Sequence, residues 1–224
     1  MKQLRMAALD IDGVLLEDTF SPVIRQVVED LGGTYDRELE LNVFSQNRDR
    51  AAQYLLDRLG LDWRPQDMLK HYFSRRASYL ETHAGGVRAG TGELLQLLAD
   101  QNLRILCYGG LESSHFDTSL GEFKDYFENY VCTNDFRPGV KEILEISKLE
   151  PSQVFFVDDV VRPAQECKRL RVPFLGMPAA AEWGFQKREM EHLGVRHLVH
   201  SPREVTLGLL QVLDGEALED RCWK

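Results

Sequence analysis

The chain has 224 residues, of which 43% are hydrophobic and 28% charged, the composition of an ordinary globular protein long enough for a sizeable core and a smaller appended domain. Its 36 acidic side chains outnumber the 27 basic ones, giving a formal net charge of -9, and no basic run marks a nucleic-acid surface. No apolar stretch approaches the length of a membrane span, and the start, MKQLRMAALDIDGV, has too short an apolar region before its acidic residues to read as a secretion signal. Cys107, Cys132, Cys167 and Cys222 show no CxxC spacing and lie in or near apolar segments, as expected of reduced thiols in a cytoplasmic protein without a zinc site.

The first element is an apolar run over residues 4 to 9, broken only by Arg5, with the break at Gly13 soon after, and it reads as a buried strand. Asp10 and Asp12 follow where it ends. In extended backbone, residues two apart point to one face, so the two carboxylates emerge side by side at the carboxyl end of a strand, where open α/β sheets bind ligands. Like charges this close repel unless a cation neutralises them or they do chemistry, and hard carboxylate oxygens suit Mg²⁺. The plainer alternative is a turn in which Asp and Gly cap the backbone.

The periodicity then becomes helical. Ser21 and Pro22 open a helix with Val23, Ile24, Val27, Val28 and Leu31 at helical spacing, stopped by Gly32 and Gly33. A second helix carries Ala51, Ala52, Leu55, Leu56 and Leu59 and stops at Gly60, and a third spans residues 65 to 81. No alternating strand pattern interrupts them, so residues 17 to 85 read as a helical insert, with Gly85 and Gly86 as the hinge back. Within it, Arg48 and Arg50 of SQNRDR are candidate cations for an anionic substrate, followed by Arg75 and Arg76, while His71 and His83 read as surface or packed side chains.

Beyond the hinge, Thr91 is expected to cap a helix bearing Leu94, Leu95, Leu97 and Leu98. Strands over residues 103 to 107, 130 to 132 and 154 to 157 follow, the last leading into a helix over residues 163 to 170. VPFLG and VRHLV each read as a further short strand, Ser201, Pro202 and Glu204 as a capping box for a final helix, and GEALEDRCWK as a loose tail unless Trp223 docks it. Strands alternating with helices imply an α/β chain with a doubly wound parallel sheet and right-handed crossovers. Residues 1–16 and 86–224 would form this core and residues 17–85 the inserted domain.

Residues 154 to 159, VFFVDD, repeat the pattern of the first strand, ending in Asp158 and Asp159. Two strands each ending in a carboxylate pair are hard to explain by turn chemistry. DIDGV, and VFFVDD followed by PAQECKRLRV, resemble the first and last motifs of the haloacid dehalogenase-like (HAD) superfamily of phosphohydrolases. The resemblance covers nearly the whole chain, including GVRAGTGELLQLLADQNLRILCYGG and YFENYVCTNDFRPGVKEIL. It implies a Rossmann-like core with a helical C1-type cap, as in the phosphatase and phosphoglucomutase branch, closing over the site and choosing the substrate. It also implies a Mg²⁺-dependent phosphohydrolase acting on a small phosphate ester. Carried onto this sequence, Asp10 is the nucleophile and a metal ligand, and Asp12 is the general acid and base with its backbone carbonyl on the metal. Asp158 completes the metal shell, and Asp159 either ligates or orients a bound water. An acid at position 12 favours phosphate esters over haloacids, because the family's dehalogenases lack it.

Two positions depart from the family pattern. Where the family has Ser or Thr at the end of the second strand, CYGG puts Tyr108, whose hydroxyl lies further out. Backbone N–H groups of Gly109 and Gly110 are candidate replacements for that phosphate contact, and Ser113 or Ser114 candidate hydroxyls. Where the family has Lys before Pro, FRPG has Arg137, a planar fork in place of a point charge, with Lys141 as the other candidate cation. These departures define an alternative reading: a catalytically weak or inactive HAD-fold protein that binds metal or phosphate in a regulatory role. A signalling receiver domain is a third, set back by its shorter length and lack of an insert. The expected partner is a small-molecule phosphate ester, with no nucleic acid or membrane, and the chain is expected to be a monomer or homodimer, with Trp63, Trp183 and Trp223 packed internally or at a contact.

Overall fold

Five short apolar segments pair in parallel in the computed structural model, which describes residues 1–83 and 85–224. Residue 84, in the expected insert beside Gly85, lies outside the described residues. The strands are β1 (Met6–Asp10), β2 (Arg104–Gly109), β3 (Asn129–Cys132), β4 (Val154–Asp158) and β5 (Phe174–Gly176), in the order β3-β2-β1-β4-β5. Every residue of β1 and β4 is buried, as a parallel sheet covered on both faces requires. Ala7, Leu9, Cys107 and Phe155 face α5 (Thr91–Asp100) and α10 (Leu207–Leu218), while Met6, Ala8, Tyr108 and Phe156 face α7 (Val140–Ser147) and α8 (Val161–Leu170). This is a Rossmann-like α/β core. Its central strand, β1, ends in Asp10, in register with Tyr108 of β2.

Between β1 and β2 the chain forms a helical cap: α1 (Ser21–Asp30), α2 (Arg37–Val43), α3 (Arg48–Leu59) and α4 (Pro65–Leu80). Val27, Leu39, Leu56 and Met68 share the cap's own hydrophobic core. The outgoing and returning segments run side by side, Leu16 pairing antiparallel with Val87 and Glu17 N–H donating to Gly86 O at 2.9 Å. The far side of the cap is also tied down. Glu40 of α2 is fully buried and accepts from the Tyr35 hydroxyl, from Phe185 N–H at 2.9 Å and from Gln186 Nε2 at 2.7 Å. Arg37 forks onto Glu189 of α9 (Gln186–Leu193) through two 2.6 Å hydrogen bonds.

Several expectations are corrected at their edges. The short helices α2, α9 and α6 (Ser113–Ser119) were not among the expected elements; α2 starts where Asp36 accepts from Leu39 N–H at 2.9 Å. Thr91 does not cap α5: Gly90 holds that position with φ 96°, and Thr91 Oγ1 instead donates to Leu15 O at 3.0 Å. VRHLV is not a strand, and only Leu198 bridges to Gly176. Ser201 and Glu204 do not cap the last helix; a 3-10 turn over Pro202–Glu204 intervenes, and Thr206 accepts from Leu209 N–H at 3.2 Å. Trp223 docks the tail, donating to Val172 O at 2.8 Å and stacking on Phe174. Among the described residues no helix is long and apolar enough to cross a membrane.

Candidate active site

A cavity of about 180 Å³ lies where β1 and β4 end and the cap covers them, lined by all four acidic candidates, Asp10, Asp12, Asp158 and Asp159. Asp10 is 7% exposed, and among the described residues no donor bonds its carboxylate. Burial, then the charges of Asp158 and Asp159, pushes the Asp10 carboxyl well above its ordinary range, against the field of Arg137. Burial followed by Asp158 and Asp18 does the same to Asp159. Asp158 is pushed up by burial to about 6, against hydrogen bonds from Tyr108 and Val160 N–H and the field of Arg137. Gly13 completes the first motif for a steric reason. Its φ is +94°, and a Cβ there would meet Asp159 Oδ2 at 2.3 Å.

Tyr108 is corrected from a substrate-binding residue to a support of the acidic cluster. Its side chain is fully buried against Phe156, does not line the cavity, and reaches past β1 so that its hydroxyl donates to Asp158 Oδ2 at 2.6 Å. Gly109 does not line the cavity either; it lets β2 pack on Ile11, whose Cγ2 would lie 2.5 Å from a Cβ. Gly110 does line it, and the space its missing side chain leaves is taken by Arg137: a Cβ would meet Arg137 Nη2 at 2.1 Å. Gly110 and Arg137 therefore share one volume. Ser113 and Ser114 are exposed at the start of α6 and do not face the cavity.

Of the two candidate cations, Arg137 faces the carboxylates and Lys141 does not. Lys141 sits on the solvent side of α7, 3.6 Å from Glu145, because Gly139 turns the chain between the two residues. Arg137 Nε is buried without a hydrogen-bond partner among the described residues, an orphan donor beside a cluster of acceptors. Arg48 lines the cavity from the cap and is held to the core, donating through its backbone N–H to Asn134 Oδ1 at 3.1 Å and through Nη2 to Glu112 at 3.3 Å. Arg50 is exposed, Arg75 pairs with Asp30, and Arg76 turns to Thr19 and the Phe20 ring.

His115 of α6 joins the site without any sequence signal. Its Nε2 lies 2.9 Å from Asp12 Oδ1, and Ser119 Oγ lies 3.4 Å from its Nδ1. Nothing local to SSHFDTS links it to a residue 103 positions earlier. Asp18 also lines the cavity, its Oδ1 accepting from Phe20 N–H at 2.9 Å and Ser21 N–H at 3.0 Å at the start of α1.

The cavity sets two guanidinium groups, Arg48 and Arg137, against five carboxylates, Asp18 and the four above, an excess of negative charge that a divalent cation would neutralise. Among the described residues no three His, Cys, Asp or Glu side chains converge as a complete ligand set. That is compatible with Mg²⁺, which takes one or two carboxylates and fills its other positions with water and substrate oxygens.

No protein-family model and no curated protein matches the sequence. Among solved structures, the chain is similar to a β-phosphoglucomutase from Clostridium difficile at 13% identity and a TM-score of 0.72, with 96% of this chain and 99% of that one covered. It is similar to CbbY from Rhodobacter sphaeroides in complex with phosphate at 17% identity and a TM-score of 0.65, covering 93% and 99%. It is also similar to a HAD hydrolase of family IA, variant 3, from Entamoeba histolytica at 13% identity and a TM-score of 0.69, covering 95% and 100%. The chain thus has, over nearly its full length, the fold of the capped haloacid dehalogenase-like phosphatases and phosphomutases.

Proposed function

We propose that this protein is a Mg²⁺-dependent phosphohydrolase of a small phosphate ester, working through a phosphoryl group carried on Asp10. The observation that carries the proposal is Asp10 itself: a buried carboxylate without a donor among the described residues, opening on a cavity that also holds the half-buried Arg137. In this reading Asp10 attacks phosphorus and the bond from phosphorus to the ester oxygen breaks. Asp12 gives the departing oxygen its proton, releasing the alcohol. Water then attacks phosphorus, Asp12 takes its proton, the bond to Asp10 breaks, and orthophosphate leaves. Arg137 offsets charge on the phosphoryl oxygens, Gly110 leaves the guanidinium room, and Asp10, Asp158 and the Asp12 carbonyl would hold the metal, with Asp159 orienting a bound water. Mg²⁺, when bound, would supply the remaining neutralisation of the carboxylates and phosphoryl oxygens.

The core of residues 1–16 and 86–224 would carry the chemistry and the insert of residues 17–85 would select the ester, Arg48 being its contribution to anion binding. A xylulose bisphosphate complex is known for the Rhodobacter sphaeroides relative in fold, which supports a small phosphate ester in general. Free thiols at all four cysteines support a cytoplasmic location. The test is steady-state hydrolysis of an aryl phosphate and a panel of sugar and nucleotide phosphates, with and without Mg²⁺. Absence of metal-dependent turnover across the panel counts against the proposal.

Two further results are expected. His115→Ala frees the Asp12 side chain and lowers kcat by about tenfold or more with KM little changed, and His115→Gln recovers part of it. An unchanged kcat in His115→Ala removes His115 from the positioning of Asp12. The second concerns pH. Asp158 has its folded pKa raised from 3.8 to about 6, so the stability it contributes is full below pH 3.8 and is lost as pH rises through 6. Protons compete with metal over the same window, so Mg²⁺ should raise the melting temperature clearly at pH 7.5 and little at pH 5. Equal shifts at both pH values exclude these carboxylates as the ligands.

A further inference from the structure

The cavity does not stop at the carboxylates; it continues into the cap. Its deeper wall is made by Phe44, Leu55, Met68, Leu69, Tyr72 and Phe73, all within or beside the cap's own hydrophobic core. The polar side chains that reach this wall are partly engaged by the protein. Asp18 accepts from two backbone N–H groups at the start of α1, Arg48 is bonded to Asn134 and Glu112, and the Tyr72 hydroxyl donates to Phe20 O at 3.4 Å. The Gln46 side-chain oxygen accepts from Asn47 N–H at 3.1 Å. What remains for a ligand is Asp18 Oδ2, Arg48 Nη1, the Ser21 hydroxyl, the Gln46 amide N–H groups and Ser45 Oγ, the last buried without a partner among the described residues on a residue at φ 51°.

Such a wall discriminates by chemistry. The hydroxyls of a polyhydroxylated group that turn to the six apolar side chains are left without partners, each losing its bonds to water without replacement. An aromatic or aliphatic group makes no such demand and fills a space that apolar lining would otherwise keep dry. The volume of about 180 Å³ is smaller than the usual range for drug-sized ligands, so the group is small.

Resting on the phosphatase reading above, we propose that the ester's alcohol is a small apolar one of about benzyl size, bound by the cap, and that polyhydroxylated sugar phosphates are poor substrates. The phosphoryl group sits at Asp10 and Arg137, and the carbon skeleton enters the space between α3 and α4.

The first test compares benzyl phosphate with glycerol 1-phosphate and glucose 6-phosphate, all esters of primary alcohols, so that leaving-group chemistry differs little. The expected result is a kcat/KM for benzyl phosphate at least about tenfold above the other two. A sugar or glycerol phosphate turned over equally well or better overturns this proposal and leaves the phosphatase reading standing. The second test needs no turnover: calorimetric titration of the Mg²⁺-loaded protein with benzylphosphonate and with methylphosphonate. Benzylphosphonate binding at least about tenfold tighter supports the apolar pocket even in a protein that hydrolyses nothing, in which case the phosphatase reading alone fails. Equal binding of the two phosphonates overturns the pocket assignment. In Leu55→Asn the preference for the benzyl compound should shrink in both assays, and an undiminished preference in that variant also overturns it.

Discussion

Asp10→Asn abolishes turnover, with a loss of at least about a thousandfold in kcat, and leaves the fold intact. The amide has nearly the same shape, so the packing of β1 between β2 and β4 is kept, but it has no anionic oxygen to attack phosphorus. The variant should also be more stable than the parent in the absence of metal. Asp10 is almost fully buried, faces Asp158 and Asp159, and has its carboxyl pushed well above the ordinary range by burial and by those charges. Removing one charge from that cluster relieves repulsion. In a domain of this size each kcal/mol gained raises the melting temperature by about 2–4 °C. Calorimetry in chelator and steady-state kinetics in Mg²⁺ together separate the two effects. Retained turnover sinks the role of Asp10 in the mechanism, and a lower melting temperature contradicts the account of the charge cluster.

Arg137→Ala lowers kcat/KM by about a hundredfold or more, the usual effect of losing a charged donor on the transferring group. The same variant removes the field that opposes the upward shift of the Asp10 and Asp158 carboxyls, so both should hold protons to higher pH than in the parent. Gly110→Ala is the informative companion. Its new methyl would stand 2.1 Å from Arg137 Nη2, so the guanidinium must leave its place although the arginine is still present. Its kinetic loss should approach that of Arg137→Ala, whereas Arg137→Lys should fall between parent and alanine. Parental activity in Gly110→Ala indicates that the observed position of the guanidinium is not the one used.

The core of the fold and the acidic cluster were legible because both are written in short-range pattern. An apolar run followed by two acids predicts a buried strand with carboxylates at its end, and it does so twice, at Asp10 and at Asp158. The helices with a clear apolar stripe, α1, α3, α4 and α5, were equally plain. Helices α2, α6 and α9 were not, since RELELNV, SSHFDTS and QKREMEHL are short, polar and without a sustained stripe. Tyr108 could be placed at its strand end by position, but not its ring, which is long enough to reach past β1 to Asp158. His115 and the apolar wall of the cavity depend on contacts between elements far apart in the chain, which local periodicity does not carry. Arg137 and Lys141 were indistinguishable as charges, and only the turn at Gly139 sends one inward and the other to solvent.

The shared volume at Gly110 and Arg137 also constrains how this sequence can drift. Any side chain at position 110 is barred while position 137 carries a guanidinium in that space, and a shorter or thinner cation at position 137 would open room that a residue larger than glycine can occupy. The two positions are therefore sterically coupled. If the guanidinium is to take this position, glycine has to be at position 110 first, so sterics alone would order the two substitutions.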